Sequence, residues 1–233
     1  MKLTHYGIRE WLGGGMIFVV LLAGSILIAA RMDFAVGVTC SIICVLGWFS
    51  LAAFFRDPAR KIPEAGNILI SPADGYVKDI EIISNSDENK YFEGKNAIRV
   101  GIFLSVLDVH LNRAPCRMTV KEKIYRKGKF HDARDTLAST ENEAMTIICD
   151  AEAAGRRFTV LVRQISGAIA KRIVCPVEPG ETIDKGGQYG MIKFGSRTEL
   201  FFPAGPDFEL KVNVGDRVLA GETVITEIKD RTE

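Results

Sequence analysis

The sequence predicts an all-β domain, a sandwich or barrel with few short helices, preceded by an apolar helical hairpin. Three observations carry that prediction. Residues 12–30 and 34–55 carry no charge but Arg31 and Asp33 lie between them, and each run is long enough to cross a hydrocarbon core of roughly 30 Å at about 1.5 Å per residue. From Ile68 onward the apolar residues come in short runs, several alternating with period two, as half-buried strands require. Turns bearing Gly or Pro separate those runs.

The first element is the hairpin, 1–55. Only Arg31-Met32-Asp33 joins its two arms, which forces a tight turn. Lys2 and Arg9 precede it, and Arg56, Arg60 and Lys61 follow it. That excess of cations puts both ends, and the remainder of the chain, on the cytoplasmic side. A cleavable secretory leader is the competing reading of 12–30, and the second apolar run directly after it favours an anchored hairpin. Sequence leaves open whether the hairpin spans or dips into one leaflet. The next stretch, RDPARKIPEAGN at 56–67, is a linker whose prolines bar a continuous helix. Its three cations suit an anionic lipid surface.

The β domain, 68–233, begins with ILIS, the turn Pro72-Ala73-Asp74-Gly75 and the strand YVKDIEII. SNSDENKYFEGK, 84–95, reads as a solvated loop. In AIRVGIFLS, Ile98, Val100, Ile102 and Leu104 share one face. MTVKEKIYR and RRFTVLVRQI read as further strands, and only HDARDTLASTENEA, 131–144, reads as helical or irregular. PVEPGETIDKGGQYGMIKF and KVNVGDRVLAGETVITEI then repeat one rhythm. Gly180 and Gly215 open tight turns in it, and Gly186 and Gly221 supply second turns. The rhythm resembles the half-motif of biotinyl- and lipoyl-like β-sandwiches.

Composition narrows the chemistry. Thirty basic against 29 acidic residues leave a net charge of +1, so no global field points to nucleic acid. The five cysteines are scattered without CxxC spacing, which argues against a disulfide framework and against a zinc site. Of the three histidines, His5 reads as interfacial and His131 as part of a surface loop, which leaves His110.

One short stretch stands out. KFGSRTE, 193–199, sets Gly-Ser between apolar strand-like residues, where a glycine marks a bulge or a close backbone approach. A serine hydroxyl held bent against the preceding carbonyl can attack it, and glycine has no Cβ to obstruct that approach. The N→O acyl shift gives an ester, and β-elimination breaks the chain. The dehydroalanine left behind hydrolyses to a pyruvoyl group, a ketone able to form a Schiff base with an amine and accept electrons as carboxylate leaves. Such a serine needs a base, and the base an orienting group. FLSVLDVHLNRAP offers Asp108, His110 and Arg113, and SPADG offers Asp74.

FFRDPARKIP, SPADGYV, FLSVLDVHLNRAP, QISGAIAKRI and GMIKFGSRTELFFP, in that order, resemble the short bacterial type of phosphatidylserine decarboxylase proenzyme. The match runs from about Phe54 to Pro203. The resemblance implies a membrane enzyme that cuts itself between Gly195 and Ser196 into a β chain, 1–195, and an α chain, 196–233, held as a heterodimer. Ser196 would become the pyruvoyl cofactor and act on phosphatidylserine in the bacterial cell membrane. His110 would serve as base in cleavage and proton shuttle in decarboxylation, with Asp74 as the acid that orients it. Asp108 either helps orient His110 or caps its turn, and Arg113 either binds the substrate's phosphate or carboxylate or pairs with an acid. Longer members read LGST where this chain reads FGSR, and carry a second histidine at the place of Arg113. A membrane-anchored lipoyl-like adaptor or carrier is the non-enzymatic alternative. Assembly into a homo-oligomer is left open.

Overall fold

A computed structural model describes residues 2–84, 86–168, 172–193 and 195–229. The chain divides into two compact units, Met1–Pro58 and Ala59–Glu233.

The first unit is the expected hairpin. Helix α1, Ile8–Arg31, and helix α2, Phe34–Phe54, are each long and apolar enough to cross a membrane. Asp33 starts α2 by accepting the Val36 N–H on its carboxylate at 3.0 Å, the usual N-cap arrangement. Between the arms Ser25 and Ser41 share a hydroxyl hydrogen bond of 2.8 Å. Gly37 lies against the backbone of Ala29, an approach only a small residue permits.

The second unit holds fourteen strands among its described residues. In chain order they are β1 (Ile68–Ile70), β2 (Gly75–Ile83), β3 (Ala97–Leu104), β4 (Leu111–Arg113), β5 (Arg117–Arg126), β6 (Ala144–Ala153) and β7 (Arg156–Ile165). Then follow β8 (Arg172–Val174), β9 (Thr182–Ile183), β10 (Gln188–Lys193), β11 (Ser196–Pro203), β12 (Phe208–Leu210), β13 (Arg217–Val218) and β14 (Val224–Ile228). An eight-stranded sheet runs β13-β2-β3-β11-β7-β6-β5-β9, and two smaller sheets run β1-β14-β12 and β4-β10-β8. One helix, α3 (Thr136–Glu141), lies in the stretch read as helical or irregular.

The glycine rhythm proves to be part of a wider repeat within the β unit. Gly180 and Gly215 have φ of 94° and 97°, and Gly186 and Gly221 have φ of 77° and 83°. Gly180 N–H bonds the Val120 carbonyl and Gly215 N–H that of Val77, both at 2.8 Å. Gly186 N–H bonds Ala114 and Gly221 N–H bonds Ser71, both at 2.9 Å. Segments 71–77 and 114–120 are therefore equivalent, and β2 with β13 matches β5 with β9.

Sheet faces follow from alternation. Ile98, Val100, Ile102 and Leu104 all enter the main core, where Val160 and Val162 of β7 and Leu200 and Phe202 of β11 meet them. Each such side chain contributes about 1.5–3 kcal/mol on burial. The other face of β11 is buried too. There Arg197 and Glu199 are 3% and 0% exposed and join Asp79, Arg99, Arg163 and Ser139 in an ionic network.

Two expectations are corrected. The stretch 84–95 is not simply solvated: Asp87–Phe92 forms a 3-10 helix started by a Ser86–Asn89 capping box. It buries Phe92 against Ala97, Ile148, Leu161 and Phe201, because the sheet's second face needs an apolar cover. Arg60 is not available to lipid either. Its side chain is 7% exposed and holds both carboxylate oxygens of Asp74, at 2.9 and 2.8 Å.

Candidate active site

The core face of the eight-stranded sheet changes character at one end. Along β7 the series Val160, Val162 continues as Gln164 and Ser166, and along β11 the series Phe202, Leu200 continues as Thr198 and Ser196. All four polar residues are at most 1% exposed. Asn112 of β4 ties the group together, donating to Thr198 Oγ1 at 3.0 Å and accepting from Gln164 Nε2 at 2.8 Å. Burying polar groups here costs free energy unless bonds are made. Three atoms make none among the described residues: Ser196 Oγ, Ser166 Oγ and Gln164 Oε1.

Gly195 and Ser196 stand where the chain leaves β10 in one sheet and enters β11 in another. Gly195 has φ +62°, a conformation that costs a residue with a Cβ about 1–2 kcal/mol. Its surroundings are close: a Cβ on Gly167 would overlap the carbonyl oxygen of Gly195, the oxygen of the bond expected to break. Phe194 of the FGSR motif and residues 169–171 of QISGAIAKRI lie outside the described residues.

His110 reaches this corner from the segment between β3 and β4. It is fully buried, and its Nδ1 lies 2.9 Å from the Asp108 carbonyl oxygen. A carbonyl only accepts, so Nδ1 carries the proton and Nε2 keeps a lone pair. That lone pair accepts the Gly195 N–H at 3.1 Å.

Asp108 thus contributes its backbone to His110, while its carboxylate looks elsewhere. It accepts the Ser105 N–H at 2.8 Å and pairs with Arg217 Nη2 at 2.5 Å. Burial pulls the Arg217 guanidinium down, but the Asp108 bond and charge outweigh it and leave its pKa above the ordinary value. Asp74, 3% exposed, bonds Arg60 and the Ala220 N–H at 2.8 Å. Its charge also favours the Arg217 cation. Arg113 donates to the Gly186 carbonyl at 3.0 Å.

The structure therefore brings together Gly195, Ser196, His110 and Asp108. Asp74 joins through Arg217, and Arg113 points its bond to the β9–β10 turn. Asn112, Gln164, Ser166, Gly167, Thr198 and Arg217 escaped sequence reasoning. The available signal was polar residues at core-facing positions of strands, as in VLVRQIS and GSRTEL.

A cavity of about 320 Å³ opens on Gly195, lined also by Ser105, Val106, Asp132, Arg134 and Ala168. Arg134 is exposed and forms a two-point pair with Asp132, which holds the Asp132 carboxyl down to about 2.

Comparison with known proteins adds an independent line. Residues 49–226 match the family described as phosphatidylserine decarboxylase. The chain is 39% identical over 214 residues to a phosphatidylserine decarboxylase proenzyme of Wolbachia pipientis wMel, covering 92% of this chain and 89% of that protein. A protein of the same name from Desulfotalea psychrophila is 42% identical over 175 residues, 75% of this chain and 78% of its own length. Another, from Ehrlichia chaffeensis, is 34% identical over 216 residues, with 93% and 90% covered.

Proposed function

The chain belongs to the phosphatidylserine decarboxylase family, and from that premise we propose how its own residues do the work. The reaction is that of a carboxy-lyase: phosphatidylserine loses carbon dioxide and becomes phosphatidylethanolamine. The relatives' shared name, proenzyme, implies a processing step before it. We assign that step to the bond between Gly195 and Ser196, giving a β chain, 1–195, and an α chain, 196–233, that remain a heterodimer.

The single observation that carries the assignment is the environment of this bond. A buried serine hydroxyl without a partner among the described residues follows a glycine at φ +62°, with a neutral imidazole nitrogen on the glycine's own amide. These residues fit a pyruvoyl group made from Ser196. Once present, such a group supplies an electron sink beside a substrate amine.

The remaining work falls to side chains. His110 Nε2 exchanges the Gly195 N–H for the Ser196 hydroxyl and takes its proton as the oxygen attacks. The Asp108 carbonyl keeps the ring in the Nδ1–H tautomer, and so keeps Nε2 basic. In the mature enzyme the same nitrogen returns a proton to the carbon that carbon dioxide has left. Asp74, acting with Arg60 and Arg217, positions the Asp108 segment. The cavity at Gly195 admits the head group, and Arg134 at its wall offers a cation to the phosphate, a role weighed above for Arg113. Burial of Ser196 excludes bulk water from the nucleophile.

Residues 1–55 would anchor the protein in the bacterial cell membrane, with 56–67 as connector and 68–233 facing the cytoplasm. Lipid then need not be extracted into water.

Intact-mass measurement tests the reading. Wild-type protein should separate into two chains at Gly195-Ser196, the α chain lacking a free amino terminus, and Ser196→Ala should stay whole. A wild-type chain that stays uncut while decarboxylating phosphatidylserine would overturn it.

A further inference from the structure

Ser166 has no part in the scheme above, yet its placement demands one. Strands β11 and β7 are antiparallel neighbours, with Arg197 opposite Ile165. Carried one step further, the register sets Ser196 opposite Ser166, and one more sets Gly195 opposite Gly167. The close approach of Gly167 to the Gly195 carbonyl agrees with that extension. Ser166 is fully buried and its hydroxyl has no partner among the described residues. Two residues earlier, and so on the same face, Gln164 holds its Oε1 buried and equally unpartnered.

Opposite residues of an antiparallel pair stand about 4.5–5.5 Å apart at Cβ. That separation is too long for a direct contact between a hydroxyl and the facing Cα. It suits one intervening water, which needs two or more polar partners to be held in a buried site.

The proposed chemistry calls for one water at this place. Elimination breaks the Cβ–O bond of residue 196, and the freed oxygen leaves with the Gly195 carboxylate. The Cα–H proton goes to a base, and residue 196 is left as an enamine, its amino group on a Cα now doubly bonded to a methylene carbon. Moving a proton to that methylene carbon gives the imine. Water then adds its oxygen to Cα, and the nitrogen leaves as ammonia. One water is consumed and one ammonia released, with no oxidant or reductant.

We propose that Ser166 Oγ and Gln164 Oε1 form the site that holds and orients this water against Cα of residue 196. The proposal rests on cleavage at Gly195-Ser196, as argued above. It makes Ser166 a residue of maturation that acts after the chain is cut.

The test follows both events in time on purified full-length protein as it matures. Chain cutting is read on a denaturing gel, and the ketone by the mass of the α chain after borohydride reduction, which turns a ketone into an alcohol and an imine into an amine. In wild type, ketone should track cutting. In Ser166→Ala, cutting should proceed while the ketone lags on the order of tenfold, the effect of one lost hydrogen bond. An α chain still carrying the imine nitrogen in place of the ketone oxygen, and lighter by that difference, should accumulate during the lag. Ser166→Ala in the uncut Ser196→Ala background should melt no lower than that parent, which excludes a merely structural effect. Ketone that keeps pace with cutting in Ser166→Ala, or both events slowed equally, would overturn the inference. Failure of wild type to cut would instead overturn the reading on which it rests.

Discussion

The basic nitrogen of His110 and the amide nitrogen of Gly195 lie 3.1 Å apart, joined by a hydrogen bond the glycine donates. The lone pair that a base would use is thus occupied by the residue just before the nucleophile. In the proposed cleavage the imidazole trades this N–H for the Ser196 hydroxyl. Such a trade costs little, since one bond replaces another.

His110→Ala should therefore leave the precursor uncut over hours, with self-cleavage slowed by about 10²–10⁴-fold, the range for loss of a positioned base. His110→Gln keeps a side-chain acceptor for the Gly195 N–H but no base. It should fold like wild type, judged by thermal unfolding, and still remain uncut. Normal cutting by either variant would remove His110 from the mechanism.

Asp74 makes a different prediction, because it faces a buried arginine. Asp74→Asn strands the Arg60 guanidinium without its counter-charge, and breaking such a pair costs about 3–5 kcal/mol. Measured in the uncut Ser196→Ala background, urea unfolding should shift by an amount in that range. Arg60→Met together with Asp74→Asn should recover much of the loss. Full recovery of stability there, without recovery of cutting when the same pair of substitutions is made with Ser196 intact, would separate Asp74's charge on Arg217 from its pairing with Arg60.

Gly167→Ala places a methyl group on the Gly195 carbonyl oxygen. The overlap should cost about 1–3 kcal/mol and push that carbonyl away from the serine. Cutting should slow while Gly66→Ala, at a glycine with open space around it, changes nothing. Gel densitometry over a time course checks both.

Acid should loosen the α chain. Burial raises the Glu88 carboxyl, but its bonds to Arg163 and Ser86 outweigh that and bring it from 4.5 to about 2. Asp79 is likewise lowered, burial opposing and Arg197 dominating. A carboxyl depressed on folding contributes stability that is complete above its unfolded value and lost as pH falls through its folded value. The window for Glu88 therefore runs from 4.5 down to about 2. Asp79 pairs with Arg197 at the head of the α chain, and Arg163, the partner of Glu88, also reaches Glu199 of that chain, so the matured protein should release it at lower urea as pH drops through this window. Size-exclusion chromatography at graded pH reads the release. Because Glu88 and Asp79 are part-exposed, salt should weaken the effect.

Much of the fold was legible in local pattern. The two uncharged runs become α1 and α2, and the alternation of Ile98, Val100, Ile102 and Leu104 becomes a core-facing strand. The paired glycines become paired left-handed turns, since positive φ is a local requirement that glycine meets. The capped helix at Asp87–Phe92 was not legible, because polar composition hides a single buried Phe92. Nor was the equivalence of 71–77 with 114–120, where Asp74 and Arg117 occupy matching places without chemical likeness.

By itself, the sequence determined the membrane-type hairpin and the β architecture, and singled out Gly195-Ser196 as the candidate bond with His110 as the available imidazole. These depend on residue type and near-neighbour spacing alone. Only the tertiary structure decided that His110 Nε2 meets the Gly195 N–H, that Asp74 pairs with Arg60 and that Gly167 abuts the Gly195 carbonyl. Those relations are set by strand register between distant segments, where sliding one strand by a single residue would turn every side chain to the opposite face.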